Sequence, residues 1–330
     1  MKKTGKGVGI IFYGTGYGNG FPDVSKSKAQ LREDGKVEIY VGATEVGQGA
    51  KTVMSQIAAE ALGLKFEDIV FINEDTKITP DSGTAAASRQ SYNTGNAIKK
   101  SAEKLRQRII DIAKEKLGLN TNIGIEIKDG YVYVKSFPKK GITFKEIAKN
   151  FKDEPLYENG EFTAQTTEMD AETGQGAPYW PYTFCACGTE VEVDTETGVV
   201  TVLDAVLAQD VGKALNPKLI EGQMDGGFAM GMGYAIFEDL KLKNGVMKNN
   251  SFTNYLIPTA LDMPDVKNVI VEDPESTAPY GAKGIGEPVM IPITPAILNA
   301  IYDAIGVRIT EIPVKPDSIL KALKEKNKNS

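Results

Sequence analysis

A strand, a glycine-rich loop and a helix follow one another in residues 35–63, GKVEIYVGATEVGQGAKTVMSQIAAEALG. Apolar residues alternate with other residues from Lys36 to Val41, which is typical of a strand with one buried face. Helical spacing begins near Lys51, and Gly63 is a natural end because glycine readily adopts the left-handed conformation that follows many helices. The predicted buried side of this helix consists of Val53, Ile57 and Ala61 beside Met54, Ala58 and Leu62.

The same pattern occurs a second time further along the chain. Both copies read as strand, glycine loop and helix, so we expect an α+β protein made of two related α/β subdomains. The predicted subdomains are residues 1–165, with 119–165 peripheral, and residues 166–330. The matched positions are Gly35, Val37, Ile39, Gly49 and Ile57 in the first copy and Gly198, Val200, Val202, Gly212 and Ile220 in the second.

Other elements follow from local signals. Helices are predicted up to Leu117, from Thr143, after Asn216-Pro217 and after Thr294-Pro295. Gly306 would stop the last of these. The remaining predictions are a strand at 7–13, a strand within 66–79, a hairpin at 123–137, strands within 176–212 and a short helix at 317–323.

Composition restricts the chemistry that this chain can perform. Its 330 residues include no histidine and only two cysteines, Cys185 and Cys187. Histidine-based triads and zinc sites that need imidazole are therefore excluded. The two cysteines would share one face of a strand, and we expect them to be buried free thiols. An enzyme of this composition needs a carboxylate or lysine base, or a cofactor that carries the chemistry.

Charge and hydropathy exclude two kinds of partner. The net charge is −6, which offers no basic surface to nucleic acid. No apolar run reaches the roughly 18 residues of a membrane span, and the short apolar segment near the start is too brief for a signal peptide. We therefore expect a cytoplasmic protein without a membrane partner.

The first glycine-rich segment, GTGYGNG at residues 14–20, resembles a dinucleotide-binding turn only superficially. Its glycines do not follow the G-x-G-x-x-G spacing, and no helical pattern continues after it. A Rossmann turn is therefore excluded. Tyr13, directly before these glycines, is instead a candidate lining residue of a substrate pocket.

The loop at residues 42–52 does not match a P-loop, because Ala50 separates Gly49 from Lys51. A glycine loop that leads into a helix N-terminus is nevertheless suited to an anion. Gln48 and the loop amides are therefore candidates to hold a phosphate or a polar ring edge. A phosphate-binding enzyme is the weakest of the alternatives that we keep.

Two further segments have unusual local composition. Residues 81–97, DSGTAAASRQSYNTGNA, place small side chains before a helix, where a ligand can approach the backbone closely or the loop is merely packed tightly. Residues 283–289, KGIGEPV, place the carboxylate of Glu287 between Gly286 and Pro288. The proline keeps Glu287 out of helical geometry. This acid is either solvated on a tight turn or aimed into a site.

Five motifs follow one another along the chain: EVGQG at 45–49, TAAASR at 84–89, DVGKALNP at 210–217, EGQMDG at 221–226 and KGIGEP at 283–288. Together they resemble the second half of the molybdopterin-binding region of the xanthine dehydrogenase/aldehyde oxidase family. The resemblance implies a fold of this molybdopterin-binding type. It also implies a molybdenum atom that is held by the pterin dithiolene and by no side chain, which suits a chain without histidine.

The resemblance implies roles for the matching residues. Glu287 would be the catalytic base beside the molybdenum, in a partly buried position. Gln48 and Gln223 would hydrogen-bond the pterin. Ala43 stands where family members often have histidine, which puts a contact at that position in doubt. The residues implied to line the cofactor and substrate cleft are Ala87, Ser88, Arg89 and Gln90. The residues implied to bring their backbone close to the cofactor are Gly49, Lys283, Gly284, Ile285 and Gly286.

The resemblance also implies partners and further cofactors. The F-G-G-K-type and R-G-F-G-type segments of the family's first half do not occur in this sequence. A large molybdopterin subunit would therefore complete the active site, and separate subunits would carry [2Fe–2S] clusters and FAD. The implied cofactor is molybdopterin cytosine dinucleotide, with a selenido or sulfido ligand on the molybdenum.

The resemblance, together with this split, implies a hydroxylase that acts on a small N-heterocycle. The implied reaction converts nicotinate to 6-hydroxynicotinate with NADP⁺ as acceptor. The alternatives are a hydroxylase for a purine or an aldehyde, and a subunit that holds or assembles the cofactor without turnover.

Overall fold

A computed structural model describes residues 1–18, 20–121 and 124–328. Helices and strands are mixed along the chain, as expected for an α+β protein. The strands are β1 (Lys2–Gly14), β2 (Val24–Leu31), β3 (Val37–Val41), β4 (Ile69–Ile72), β5 (Ile125–Lys128), β6 (Tyr131–Val134), β7 (Phe137–Thr143), β8 (Tyr157–Thr163), β9 (Tyr182–Asp194), β10 (Val200–Asp210), β11 (Leu242–Lys243), β12 (Val246–Met247) and β13 (Asp265–Val271).

Most helices begin and end where the local signals predict. Gly63 ends the first in the left-handed conformation, at a φ of 71°, and Gly306 ends the fifth in the same way, at a φ of 65°. Thr143 and Asn216 are the N-caps of the third and fourth. None of the helices in the described ranges is both long and apolar enough for a bilayer. They are α1 (Ala50–Leu62), α2 (Gly95–Lys116), α3 (Phe144–Ala148), α4 (Pro217–Ile236), α5 (Ile293–Ile305) and α6 (Pro316–Lys328).

The chain divides into two compact units. The α1 unit comprises residues 14–181 and 274–284, and the α4 unit comprises residues 1–13, 182–273 and 285–330. This division differs from the predicted subdomains because each unit combines segments that are far apart in the sequence. β1 joins the α4 unit, since it pairs with β9.

Hydrogen bonds also explain why residues 166–181 and 274–284 belong to the α1 unit. The backbone N–H of Thr15 donates to the carbonyl of Pro181 at 2.9 Å, close to the end of the first of these segments. In the second segment, the carbonyl of Thr277 accepts from Asn96 Nδ2 at 2.9 Å. Neither contact has a signature in the local sequence.

The α1 unit is built on a four-stranded sheet in the order β8-β2-β3-β4. β2 is antiparallel to both β8 and β3, and β3 is parallel to β4 through the connection that contains α1. α2 packs against β2, β8 and α1. The core contains fully buried side chains from β2, β3, α1 and α2, among them Ala29, Ile39, Met54, Ile57, Ile98 and Leu105.

The region that was expected to be peripheral, residues 119–165, has two parts. β5, β6 and β7 form a separate small sheet, and its predicted first residue, Ile123, lies outside the described residues. β8 is instead an edge strand of the main sheet. Its Gly160 lies so close to α2 that an added Cβ would be 2.1 Å from the carbonyl oxygen of Ala97.

The α4 unit contains a second four-stranded sheet, in the order β1-β9-β10-β13. β9 and β10 are antiparallel, and β10 is parallel to β13 through the connection that contains α4. Cys185 and Cys187 lie on the buried face as free thiols, and burial raises the pKa of each to about 12. The core also includes Val191, Val193, Leu207, Met224, Phe228, Ile293, Ile297 and Ile301.

The strand order confirms the two related halves. In each unit an antiparallel pair is followed by a parallel strand that is reached through a helix. Val37 and Val200 begin equivalent strands, as the sequence match predicts. The match does not extend through the helices, since Ile57 lies in the middle of α1 and Ile220 in the first turn of α4.

The N-terminus of α1 is capped by the carboxylate of Glu45. Its Oε1 accepts from the backbone N–H groups of Gly47 at 2.8 Å and Gly49 at 3.0 Å. Its Oε2 accepts from the backbone N–H group of Lys51 at 3.0 Å. Burial alone would raise the pKa of Glu45, but these three hydrogen bonds outweigh it and hold the pKa below its ordinary value of 4.5.

Replacing Glu45 with alanine should therefore destabilise the chain at neutral pH by about 1 kcal/mol, the usual cost of losing a helix cap. A carboxyl with a lowered pKa stabilises the fold above its unfolded-state pKa, and this contribution is lost as pH falls through the folded-state value. The difference in unfolding free energy between wild type and E45A should shrink below about pH 4. Urea titrations at pH 7 and in acid measure this difference.

The matched control is Glu33→Ala, since Glu33 is exposed. It should leave stability nearly unchanged at both pH values. A loss for E45A of the same size in acid as at pH 7 would contradict the assignment of the cap.

Candidate functional site

The candidate residues are divided between the two units. The boundary falls inside the KGIGEP segment, between Gly284 and Ile285. The α1 unit holds Gln48, Gly49, Ala87, Ser88, Arg89, Gln90, Lys283 and Gly284, and the α4 unit holds Tyr13, Gln223, Ile285, Gly286 and Glu287.

Gln48 and Gln90, which are far apart in the sequence, are in contact. Gln48 Nε2 donates to Gln90 Oε1 at 3.0 Å and to the carbonyl oxygen of Thr44 at 2.8 Å. Gln48 Oε1 accepts from the backbone of Val46 at 2.7 Å. The side-chain amide of Gln48 therefore stabilises its own loop. The tip of the loop is open to solvent, because a Cβ added at Gly47 would have nothing within 4 Å.

The prediction that this loop holds a phosphate is wrong for the chain as folded. The backbone N–H groups of Gly47, Gly49 and Lys51 already donate to the carboxylate of Glu45. An incoming phosphate would meet a negative charge where it needs donors. The alternative of a phosphate-binding enzyme therefore loses its site.

Ala87 and Ser88 have a strained backbone. Both adopt left-handed conformations, with φ values of 56° and 51°, although neither is glycine. Such residues cost about 1–3 kcal/mol each and tend to cluster at functional sites. The contact with Gly284 is equally tight, since an added Cβ there would be 1.7 Å from the carbonyl oxygen of Ser88.

Arg89 is not available to a ligand, which corrects its predicted role in lining the cofactor cleft. Its side chain is fully buried, at 0% exposure, against Asp23 at 3%. A guanidinium has five N–H groups, and here the protein accepts from all of them. Nε donates to Asp23 Oδ1 at 2.5 Å, Nη1 to the carbonyl oxygens of Ser82 (2.7 Å) and Thr84 (3.2 Å), and Nη2 to the carbonyl oxygen of Val24 (2.9 Å) and Ser25 Oγ (2.8 Å).

Arg89 instead holds the loop that precedes it. An added Cβ at Gly83 would lie 2.6 Å from Arg89 Nη1, so the loop wraps directly over the guanidinium. Tyr17 lies over it with 5.0 Å between ring centre and Cζ, and the Tyr17 hydroxyl accepts from the backbone of Thr84 at 2.8 Å. No local sequence signal points to Asp23, because its partner lies far along the chain.

Gln223 differs from Gln48 in the hydrogen bonds of its side-chain amide. It lies half-buried on α4, and its amide makes no hydrogen bond within the described part of the chain. On each side of it, Gly222 and Gly226 are exposed, and an added Cβ at either would meet nothing within 4 Å. This flank of α4 therefore presents bare backbone beside a hydrogen-bonding amide.

Two of the other three glycines of α4 pack against the chain that follows Glu287. Cβ atoms added at Gly227 and Gly231 would lie 2.6 Å from Val289 Cγ2 and from Ile293 Cβ, respectively. The chain after Glu287 is thus pressed directly onto the helix backbone. The glycine-rich composition of α4 is explained by close packing on one flank and by open backbone on the other.

Tyr13 and Glu287, predicted separately, are brought together at the surface of the α4 unit. The Tyr13 hydroxyl donates to Glu287 Oε2 at 2.6 Å. Glu287 is exposed in this chain, in contrast to the expected partial burial. Just before it, Ile285 packs against the core of the unit, Gly286 is exposed, and Lys283 is buried.

We expect Arg89→Leu to lower the free energy of unfolding by about 3–5 kcal/mol, the usual cost of leaving one member of a buried ion pair without its partner. Urea unfolding of the full chain measures this loss. Arg108→Leu is the matched control, because Arg108 pairs with Glu158 at an exposed position. If both variants lost less than about 1 kcal/mol, as exposed pairs do, Arg89 would not organise its loop.

Comparison with known proteins gives a family for this geometry. Residues 1–264 match the family model described as molybdopterin cofactor-binding domain. The chain is 33% identical to the xanthine dehydrogenase molybdenum-binding subunit of Escherichia coli O157:H7, over 95% of this chain and 41% of the relative. It is 34% identical to the aldehyde oxidoreductase of Megalodesulfovibrio gigas, over 98% of this chain and 32% of the relative.

A solved structure shares the fold. The quinoline 2-oxidoreductase of Pseudomonas putida 86 superposes with a TM-score of 0.84 at 28% identity, over 98% of this chain and 42% of that one. The chain thus spans less than half the length of these relatives. The resemblance read from the five motifs is confirmed: this chain belongs to the molybdopterin cofactor-binding domain family, whose members include molybdenum-binding chains of xanthine dehydrogenases and aldehyde oxidoreductases.

Proposed function

We propose that this chain is the part of a molybdenum hydroxylase that carries the catalytic base, Glu287, and part of the molybdopterin site. The observation that carries this proposal is the hydrogen bond from Tyr13 to Glu287. It fixes the direction of a single carboxylate on a turn whose neighbours are packed closely against α4. A solvated acid on a surface turn needs neither feature.

The residues present fit a pterin. Gln223 offers an amide with both donors and an acceptor, and the bare backbone at Gly222 and Gly226 leaves room for a flat ring system beside it. Gln48 would contribute through its loop, and its amide would exchange Gln90 or Thr44 for a pterin edge.

When bound, the molybdenum–pterin group supplies the oxygen atom that enters the product and accepts the two electrons that the substrate loses. The protein must remove a proton, and Glu287 is the group that we assign to this step. Tyr13 donates to Oε2 and so holds the carboxylate in one orientation. A positioned general base of this kind contributes about 10²- to 10⁴-fold to a rate.

We propose an N-heterocycle as substrate, with nicotinate as the specific candidate, so that the assembled enzyme would be a nicotinate dehydrogenase. Two of the relatives are named for N-heterocycles, xanthine and quinoline. The 2-position of quinoline and the 6-position of nicotinate are both carbons next to a ring nitrogen, which withdraws electrons from them. NADP⁺ would be the acceptor, reached through partner subunits with [2Fe–2S] clusters and FAD.

The proposed cofactor is molybdopterin cytosine dinucleotide with a selenido or sulfido ligand, and a large molybdopterin subunit would complete the site. The aldehyde oxidoreductase among the relatives favours an aldehyde as the second candidate substrate. A chain that only holds or assembles the cofactor is the remaining alternative. Glu287 distinguishes it, because such a chain would not depend on this carboxylate.

Changing Glu287 to glutamine in the assembled complex should preserve the molybdenum content and lower turnover by about 10²- to 10⁴-fold, because the amide cannot accept the proton. Turnover is measured with nicotinate, xanthine and an aldehyde, and molybdenum by elemental analysis. Glu311→Gln is the control, since Glu311 is exposed and lies in no candidate site.

Near-normal turnover of E287Q would remove the base assignment and favour the cofactor-holding alternative. Turnover of the aldehyde alone by the wild-type complex would replace the N-heterocycle with the second candidate.

A further inference from the structure

The sheet of the α4 unit has one face that its own helices do not cover. α4 packs against β13 and α5 against β9, and residues on that side are buried. The side chains that alternate with them point the other way. Along β1 the even-numbered residues from Lys2 to Phe12 are exposed, while Gly5, Gly7 and Gly9 are buried against α5 and the turn before it.

The composition of this outer face changes from charged to apolar residues along each strand. On β1 its residues are first charged, at Lys2 and Lys6, and then large and apolar. Val8, Ile10 and Phe12 are 62%, 75% and 64% exposed. A face that met only water would be polar throughout, because such exposure of adjacent large apolar side chains is unfavourable.

The neighbouring strands change in the same direction, from charged to apolar residues. On β9 the outward residues run from Glu190 at the charged end to Phe184. On β13 they run from Lys267 to Val269, both at the surface. At the charged end, the lysines of β1 form ion pairs with carboxylates of β9: Lys2 with Glu192 at 2.7 Å and Lys6 with Glu190 at 3.3 Å.

The apolar end has the shape of a shallow trough. The middle of its floor has small residues between Phe184 and Val206, because Ala208 of β10 lies opposite Ala186 of β9, and Gly188 would have nothing within 4 Å of an added Cβ. One wall is β1, where Phe12 stacks on Tyr182 at 4.4 Å between ring centres. The other wall is β13, where Val269 lies opposite Ala208.

We propose that this apolar sheet face, formed by Val8, Ile10, Phe12, Phe184, Val206, Val269 and Val271, is the docking surface for the polypeptide that supplies the rest of the molybdopterin-binding region. The proposal rests on the proposed function, because it identifies the partner that the function needs.

The relatives' length argues for this occupant. The xanthine dehydrogenase chain matches 95% of this chain with only 41% of its own length, and the quinoline enzyme matches 98% with 42%. Each relative therefore carries more residues outside the matched region than within it, and a segment of that size needs a surface on which to pack. The trough is too apolar for a pterin or a carboxylated heterocycle, and its wide, flat floor suits an amphipathic helix or strand.

The experiment places a photo-reactive benzoyl-phenylalanine at position 12 of the chain and irradiates the native complex. Mass spectrometry identifies the cross-linked peptide. We expect it to come from a polypeptide that itself matches a molybdopterin-binding family. The same probe at Phe137, an exposed residue of the α1 unit, is the control and should give no such product.

Cross-links from position 12 to a second copy of this chain, to an iron–sulfur or flavin subunit, or to nothing would overturn the proposal. If position 12 reaches the expected polypeptide but the complex hydroxylates no substrate, the docking surface stands and the proposed function fails. If the complex is active but position 12 reaches another protein, the docking surface fails alone.

Substitutions give a second, independent measurement. Ile10→Asp should reduce the amount of that polypeptide retained on the tagged chain by about tenfold or more, because an aspartate would be buried there without a partner. Thr4→Asp introduces the same side chain on the same strand at the charged end and should leave retention unchanged. Equal retention by the two variants would overturn the proposal, and circular dichroism of both checks that the chain is folded.

Discussion

The α1 unit depends on the buried pairing of Arg89 with Asp23. A guanidinium without water must have every N–H group accepted, and here the acceptors are Asp23 and Val24 at the start of β2, the hydroxyl of Ser25, and carbonyl oxygens of the loop before Arg89. These demands leave the loop before Arg89 one conformation. The strained backbone of Ala87 and Ser88 persists because the surrounding contacts determine it more strongly than its own preferences do.

Glycine contacts hold the segment that carries the base on both sides of it in sequence. Gly284 lies against the carbonyl oxygen of Ser88 in the α1 unit, where any side chain would force the two backbones apart. In the α4 unit, Val289 and Ile293 press on Gly227 and Gly231 of α4. Glu287 lies two positions before Val289, so the packing onto α4 restrains its backbone although its side chain is exposed. A residue that positions a reacting group needs such support from the chain around it.

What the sequence could predict follows from the range of each interaction. Gly63 and Asn216 end and begin helices through bonds to residues a few positions away, so their signals are local and were read correctly. The second copy of the strand was also visible, because alternation is a local pattern. The role of Arg89 was not, since its charge is satisfied by Asp23 from a distant segment. β8 was missed for the same reason, because its place in the sheet depends on β2.

The two copies of the strand–loop–helix motif show where a ligand cannot be held. In the first, Glu45 accepts from the loop amides, and in the second, Asp210 Oδ1 accepts from the N–H of Gly212 at 2.9 Å. Each loop thus provides its own anion, and the fold needs no phosphate to satisfy it. What remains for a ligand in the second copy is the helix flank at Gly222 and Gly226 rather than the helix end. A polar ring with donors and acceptors at its edge suits such a flank better than a phosphate does, which supports the proposed assignment of Gln223 to a pterin.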